Sequence, residues 1–327
     1  MIRLTCSDWR MLKQKKILSV WLFLLTFSLS AGASVTPSAG EHIDTAKQMA
    51  LSNSVTWRRS GLRHLYDRMD EVRGAPEKIG RWSVKQYQSW EQGSMSCDHQ
   101  FVLLGVDRLV SENLILGSTV DLGKGSSYYN QGLSSAQTIG ASVYGTYSTG
   151  NGSYFAALLK LGVLRLKSIL WDSEEKNTSQ GIYFGLGYGH KWNPLSTFSL
   201  DPQVRLTYSR LGAEAITDKG YSIQYDPIEN FVLAFRLKGQ MQIGQSASTY
   251  FLLGYYRDMM GRVSGHYRQD HNKYAFSDSL FDTWGRARVG ADYQLDEKIT
   301  ASFEAEKMFG KEYQDHAKLS CFARYLF

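Results

Sequence analysis

Four residues that could move protons fall within one polar stretch: Asp258, His266, Asp270 and His271. A carboxylate beside an imidazole can exchange a proton near neutral pH, so this group could serve general acid–base hydrolysis at a loop. No Ser, His and Asn constellation is legible around it, and acidic and histidine neighbours in a loop are ordinarily solvated. A second set brings opposite charges together: Arg286, Arg288, Asp292, Glu304, Glu306 and Arg324. Networks of this kind neutralise a wall more often than they catalyse. A third set, Gly185, Gly187 and Gly189, has the spacing G-x-G-x-G with no helix following, so it lacks the context of a nucleotide-phosphate loop. Cys6, Cys97 and Cys321 are too widely spaced for a metal site or a disulfide framework. No catalytic residue, metal ligand or cofactor is assigned from these sets.

The elements that must position these residues are strands. From Arg81 to Phe327 the chain runs in short alternating segments punctuated by turn residues, within a composition of 30 Gly, 5 Pro and 13% aromatic residues. Twelve runs begin near Arg81, Gln100, Leu114, Ser135, Ser153, Gly181, Thr197, Ile228, Ser248, Leu280, Lys298 and Asp315. Most exceed the ~5–6 residues of soluble strands and suit tilted, bilayer-crossing ones. Tight turns at 111–113, 149–152, 193–196, 245–248 and 296–297 alternate with longer polar loops at 124–134, 171–180, 212–227 and 262–279. Short turns on one side and long loops on the other predict an all-β transmembrane fold, a 12-stranded antiparallel outer-membrane barrel. A soluble sandwich has no reason to sort its loops in this way.

Alternation assigns the faces. Gly285, Ala287, Val289, Ala291, Tyr293 and Leu295 share one face of the tenth run, with Trp284, Arg286, Arg288, Asp292 and Gln294 on the other. The eleventh run sets Ile299, Ala301, Phe303 and Ala305 against Thr300, Ser302, Glu304 and Glu306, and the last sets Leu319, Cys321, Ala323, Tyr325 and Phe327 against Lys318, Ser320 and Arg324. A charge on the lipid face costs roughly 2–4 kcal/mol at mid-bilayer, so the charged faces must line the lumen. In the sixth run, Gly185, Gly187 and Gly189 share a face without side chains, which clears space inside the barrel. Trp192 then falls at the level of an aromatic girdle.

The N-terminal residues supply an export signal and something to fill that space. Basic residues ending at Lys13, Lys15 and Lys16 precede an apolar run over 17–31, and Ala31 and Ala33 form an A-x-A site, which predicts a cleaved signal over 1–33. The formal charge of +6 includes Arg3, Arg10, Lys13, Lys15 and Lys16 against Asp8, so the exported part is close to neutral and no nucleic-acid partner is indicated. From Asp44, read as an N-cap, Leu62, Leu65, Tyr66, Met69 and Val72 recur at helical spacing until Gly74 and Pro76. A helix over 44–73 would extend about 43 Å at ~1.5 Å per residue, enough to thread a bilayer-thick barrel. Its polar face carries Arg58, Arg59, Arg63 and Arg68 with Asp67, Asp70 and Glu71, which suits a charged lumen. Gly61 weakens it midway.

In this order of elements the chain resembles the translocator domain of the autotransporters, the type V secretion proteins of Gram-negative bacteria. The resemblance rests on Trp57, Arg58 and 65–73 in the linker helix, the glycine-rich hairpin 142–154, the segment 290–293 and the closing 321–327. It implies a barrel in the cell outer membrane that secretes a passenger to the surface, without enzymatic activity or a cofactor of its own. It further implies that Tyr325 and Phe327 are read as a C-terminal insertion signal. The expected domains are a signal (1–33), a short segment (34–43), the pore helix (44–76) and the barrel (77–327); the segment leaves no room for a passenger, a departure from the family that points to a truncated or repurposed autotransporter. Implied partners are outer-membrane lipid and lipopolysaccharide and, transiently, the Sec translocon, periplasmic chaperones and the barrel insertion machinery; the barrel itself is expected to be monomeric. Self-cleaving relatives resemble one another in an Asn-Asn pair, whereas Asn53 lies between Ser52 and Ser54, so that chemistry is not carried over. The alternatives are a stand-alone porin, a surface-binding barrel and a barrel hydrolase using Asp258, His266, Asp270 and His271.

Overall fold

The computed structural model describes residues 39–59, 62–74, 76–92, 95–129, 132–170, 173–218, 221–269, 272–279, 283–310 and 317–327. The expected signal over 1–33 lies outside the described residues, as do Asp270, His271, the strand starts expected at Leu280 and Asp315, and the side chains of Arg58, Arg59, Arg63 and Lys318.

Two helices come first, α1 (Ala39–Arg59) and α2 (Leu62–Gly74). The first begins ahead of Asp44, which is helical and not a cap. Glu41 lies in its opening turn, where a negative charge complements the helix dipole. Residues 60 and 61, Gly61 among them, lie outside the described residues between these two helices. A short 3-10 turn at Pro76–Lys78, with Ile79 N donating to Pro76 O at 3.1 Å, leads into the sheet.

In chain order the strands are β1 (Arg81–Gln92), β2 (Met95–Ser111), β3 (Leu114–Tyr129), β4 (Gly132–Ser148), β5 (Ser153–Leu170) and β6 (Ser173–His190). Then follow β7 (Trp192–Leu195), β8 (Phe198–Leu211), β9 (Glu214–Asp218), β10 (Tyr221–Tyr225), β11 (Ile228–Ile243) and β12 (Ala247–Asp258). The last are β13 (Arg262–Gln269), β14 (Asn272–Ser279), β15 (Thr283–Gln294), β16 (Ile299–Phe309) and β17 (Ala317–Leu326). All but β7, β9, β10, β13 and β14 form a closed 12-stranded antiparallel barrel, with β1 paired to both β2 and β17 and β8 to both β6 and β11. Closure leaves no strand edge in lipid, where an unpaired backbone group has no water to bind.

Two of the expected long loops are strand instead. β3 continues through Tyr129 and β4 starts at Gly132, pairing Lys124 with Gln137 and Ser126 with Ser135. β5 and β6 meet in the same way around 171–172, pairing Lys167 with Lys176. Beyond the lipid the ladder keeps satisfying the backbone while the apolar alternation stops, so polarity there marks the end of the membrane and not the end of the strand. The expected turn at 193–196 is largely β7, and the chain reverses at Ser196 and Thr197. The other two long excursions fold as hairpins, β9–β10 and β13–β14, which join into a separate sheet ordered β14-β13-β10-β9.

The faces follow the alternation. Val289 and Phe303 are 59% and 67% exposed on the outer wall, while Trp284, Arg288, Glu304 and Glu306 are buried on the inner one. Two inner clusters fill the barrel. One joins α1 to the cap sheet through Ala46, Met49, Ala50, Trp57, Tyr225 and Tyr267; the other joins α2 to the lower wall through Leu65, Tyr66, Met69, Trp82, Leu103 and Phe322.

Candidate functional site: the filled lumen

Both helices are held by partners that surround them. On α1, Ser52 Oγ donates to Ser127 Oγ of β3 (2.7 Å), Asn53 Nδ2 to Glu214 Oε2 of β9 (3.0 Å) and Ser54 Oγ to Asn230 Oδ1 of β11 (3.3 Å). Thr56 Oγ1 bonds His99 Nε2 of β2 (3.3 Å), and Ser168 Oγ of β5 donates to Met49 Sδ (3.4 Å). On α2, His64 Nε2 bonds Gln86 Oε1 of β1 at 2.6 Å. Arg68 Nε donates to Asp107 Oδ2 of β2 (2.7 Å), Arg73 pairs with Asp201 of β8 (3.3 Å), Asp70 with Lys238 of β11 (3.6 Å) and Glu71 with Arg324 of β17 (2.6 Å). Strands on every side of the barrel contribute, so the helices occupy the lumen.

The charges sort by wall. Asp107, Asp121 and Asp201 lie on β2, β3 and β8, whereas Lys238, Arg288 and Arg324 lie on β11, β15 and β17. α2 turns Arg68 and Arg73 toward the acidic wall and Asp70 and Glu71 toward the basic one. Each of these four side chains meets a wall charge of opposite sign, which favours this orientation of the helix about its own axis. Arg324 is thereby placed differently from expectation: its carboxylate partner is Glu71 of the helix, not a neighbour on the wall, because the helix brings an acid closer than the adjacent strand does. The rest of the expected network is on the wall. Arg288 donates to Glu306 Oε2 from Nε (3.0 Å) and from a terminal nitrogen (2.8 Å), Arg286 lies 3.7 Å from Glu306, Ser302 Oγ donates to Asp292 Oδ1 (2.6 Å), and Tyr250 donates to Glu304.

Glycines on β6 make the space, though not all three that the sequence singled out. A Cβ on Gly185 would come within 2.0 Å of the Tyr66 hydroxyl of α2. One on Gly189 would meet the ring of Tyr154, which donates to Asp201 and supports Arg73 at 3.2 Å over its face. Gly187 has nothing nearer than 3.6 Å, so its lack of a side chain clears no helix. The missed member is Gly181, whose Cβ would reach 2.4 Å from the Trp57 indole; it has the same parity as the other three and was legible on that ground. Trp57 also has the Lys160 ammonium 5.1 Å from its ring, and Lys160 pairs with Asp121 at 2.8 Å.

Beside α2 a polar cavity of about 330 Å³ remains at the turn end, lined among others by Asp70, Lys191, Lys238, Gln240, Asp292 and Arg324. Toward the loop end aromatic rings pack together: Tyr256 stacks on Trp284 at 5.2 Å, and Tyr225 meets Phe276 edge-on at 6.0 Å. Tyr325 and Phe327 lie on the outer wall with ring centroids 4.9 Å apart, and Phe327 N donates to Arg81 O across the β1–β17 seam at 3.0 Å.

Of the residues suggested for hydrolysis, Asp258 and His266 are described. Asp258 accepts from the backbone nitrogens of Phe231, Met260 and Gly261 and from Asn230, which clamps a turn. His266 sits within the cap ladder, opposite Gln224 and Ala275. Among the described residues no group of three His, Cys, Asp or Glu could hold a metal ion, and no helix is long and apolar enough to cross a membrane.

The sequence family described as the autotransporter beta-domain matches residues 80–306. The chain belongs to the autotransporter β-domain family. Similar solved folds agree with the geometry of this autotransporter barrel. The translocator domain of NalP from Neisseria meningitidis matches with a TM-score of 0.63 at 17% identity, over 86% of this chain and 98% of that one. The transport unit of AIDA-I from Escherichia coli matches at 0.59 and 14%, over 76% and 90%, and the beta domain of BrkA from Bordetella at 0.58 and 14%, over 76% and 99%. No curated protein sequence matches the chain. This autotransporter domain is an outer-membrane translocator barrel.

Proposed function

We propose that this translocator barrel works by mechanical containment and not by catalysis: α1 and α2 form a plug that shuts the lumen while the closed sheet stands in lipid. The observation that carries this reading is the two-sided charge match of α2, with Arg68 on Asp107 of β2 and Asp70 on Lys238 of β11, which lies across the barrel from β2. A helix merely resting at the rim would not be gripped by opposite walls.

The rest of the reading follows the same logic. Residues 1–33 act as a signal removed after Ala33 during export through the Sec translocon, 34–43 lead into the linker, 44–76 form the plug and 77–327 the barrel. Periplasmic chaperones and the barrel insertion machinery handle the chain transiently and recognise Tyr325 and Phe327. The finished domain is a monomer surrounded by outer-membrane lipid and lipopolysaccharide.

Single-channel conductance tests the plug. Full-length protein should conduct weakly, and deletion of 39–74 should open a wide, steady pore, provided that the deleted barrel still shows the heat-dependent gel shift of a folded barrel. Equal conductance before and after deletion would instead make the domain an open porin.

A further inference from the structure

Polar ties join the cap sheet to the plug at Tyr225, which donates to Ala46 O (3.0 Å), at Asp278, which pairs with Lys47 (3.4 Å), and at Glu214. The sheet's inner side buries Ile223, Tyr225, Val263, Tyr267 and Phe276 with Met49, Ala50 and Trp57 of α1. Such a surface is apolar and holds without direction. At its margin Glu214, the first residue of β9, is 8% exposed and joins three elements: Oε2 accepts from Asn53 Nδ2 of α1 (3.0 Å) and Oε1 from Ser179 Oγ of β6 (2.6 Å). Asn53 and Ser179 are themselves buried.

Among the described residues, what surrounds this carboxyl is neutral. From β10 it faces the phenol of Tyr225. The ion pairs on the neighbouring elements bind other partners, Lys47 with Asp278 and Lys167 with Glu174. The partners of Glu214 itself are the two neutral donors. A buried carboxylate without a cation is costly, and the protonated form is favoured in its place. The geometry accepts that form without a gap: the acid O–H can donate to Ser179 Oγ across 2.6 Å while the other oxygen still accepts from Asn53. Burial accordingly pushes Glu214 up to about 7, against the lowering effect of its two hydrogen bonds.

We propose that Glu214 is a proton-operated latch: protonated, it ties the cap to the plug and the barrel wall and keeps the loop end shut; ionised, it releases the cap. The proposal rests on the plugged-barrel reading above. Because the closed state holds the proton more tightly than an opened, hydrated one, closure is fully supported at acid pH. That support is lost as pH rises from the ordinary carboxylate range of about 4.3 toward 7, and above 7 it changes no further.

The test uses full-length protein in planar bilayers, with the solution on the loop side titrated from about pH 5 to about pH 8.5. Open probability should rise by up to about tenfold per pH unit below 7 and then level off. Glu214→Gln, which stays neutral and keeps an acceptor for Asn53, should remain closed and pH-independent. A wild-type response flat in pH, or one that survives Glu214→Gln, overturns the latch. Should that variant fail to fold, Ser179→Ala reports the same tie: it should raise opening at acid pH, and no change there overturns the proposal. Deleting 39–74 separates the two readings. A barrel that opens on deletion but whose intact form ignores pH loses only the latch, whereas one that does not open on deletion loses the plug.

Discussion

Arg68 Nε donates to Asp107 Oδ2 at 2.7 Å with both side chains at 0% exposure. Asp107 also accepts from Trp82 Nε1 at 3.2 Å and from the Tyr144 hydroxyl, so a helix guanidinium completes a carboxylate site built by β1, β2 and β4. Removing one partner of a buried pair leaves the other uncompensated, at about 3–5 kcal/mol. Arg68→Ala should therefore lower the stability of the plugged state by about that amount in denaturant titrations in detergent. The double variant Arg68→Met, Asp107→Leu should recover most of the loss, which the single Asp107→Leu should not.

Gly181 makes a steric prediction. A side chain there must displace Trp57, and overpacking of this kind costs typically 1–3 kcal/mol. Gly181→Val should loosen the upper plug and raise conductance, and adding Trp57→Ala should return it toward the wild-type level. At Gly187, where space exists, alanine should leave conductance unchanged.

The outer wall makes an energetic one. Val289→Arg and Phe303→Arg, midway along β15 and β16, place a cation against lipid and should each destabilise the barrel by roughly 2–4 kcal/mol in urea titrations on liposomes. Tyr325→Arg, near the chain end at the rim, should cost about 0–1 kcal/mol, because interfacial charge is tolerated.

Topology can be checked on cells. An epitope inserted at 171–172, between β5 and β6, should be labelled on intact bacteria. One inserted beside Gln245, in the turn between β11 and β12, should be labelled only after the outer membrane is made permeable.

Much of this architecture was legible because lipid enforces alternation. The inner and outer faces of β15, β16 and β17 follow from sequence, since a charge in the wrong register is penalised outright. The strand ends above the membrane were not legible, because ladders in water need no apolar signature, and 124–129 and 173–180 therefore read as loop. Arg324 illustrates a second limit. Its parity assigned it to the lumen, but its partner Glu71 lies 253 residues earlier, and no local pattern encodes which carboxylate the helix will present. Glu214 carried no signal at all: one acid in a polar excursion acquires its character only when the hairpin folds back over α1.

Closing this barrel requires β1 to meet β17, pairing Trp82 with Leu326 at opposite ends of the sheet. Every other barrel pairing joins strands adjacent in the barrel's order along the chain. The entropy lost in that one long-range encounter grows with the logarithm of the intervening length. α2 already grips both margins, β2 through Arg68 and β17 through Glu71. A segment bound at both sides of an open seam raises the effective concentration of each strand for the other. A helix held on both sides of the seam thus favours its closure.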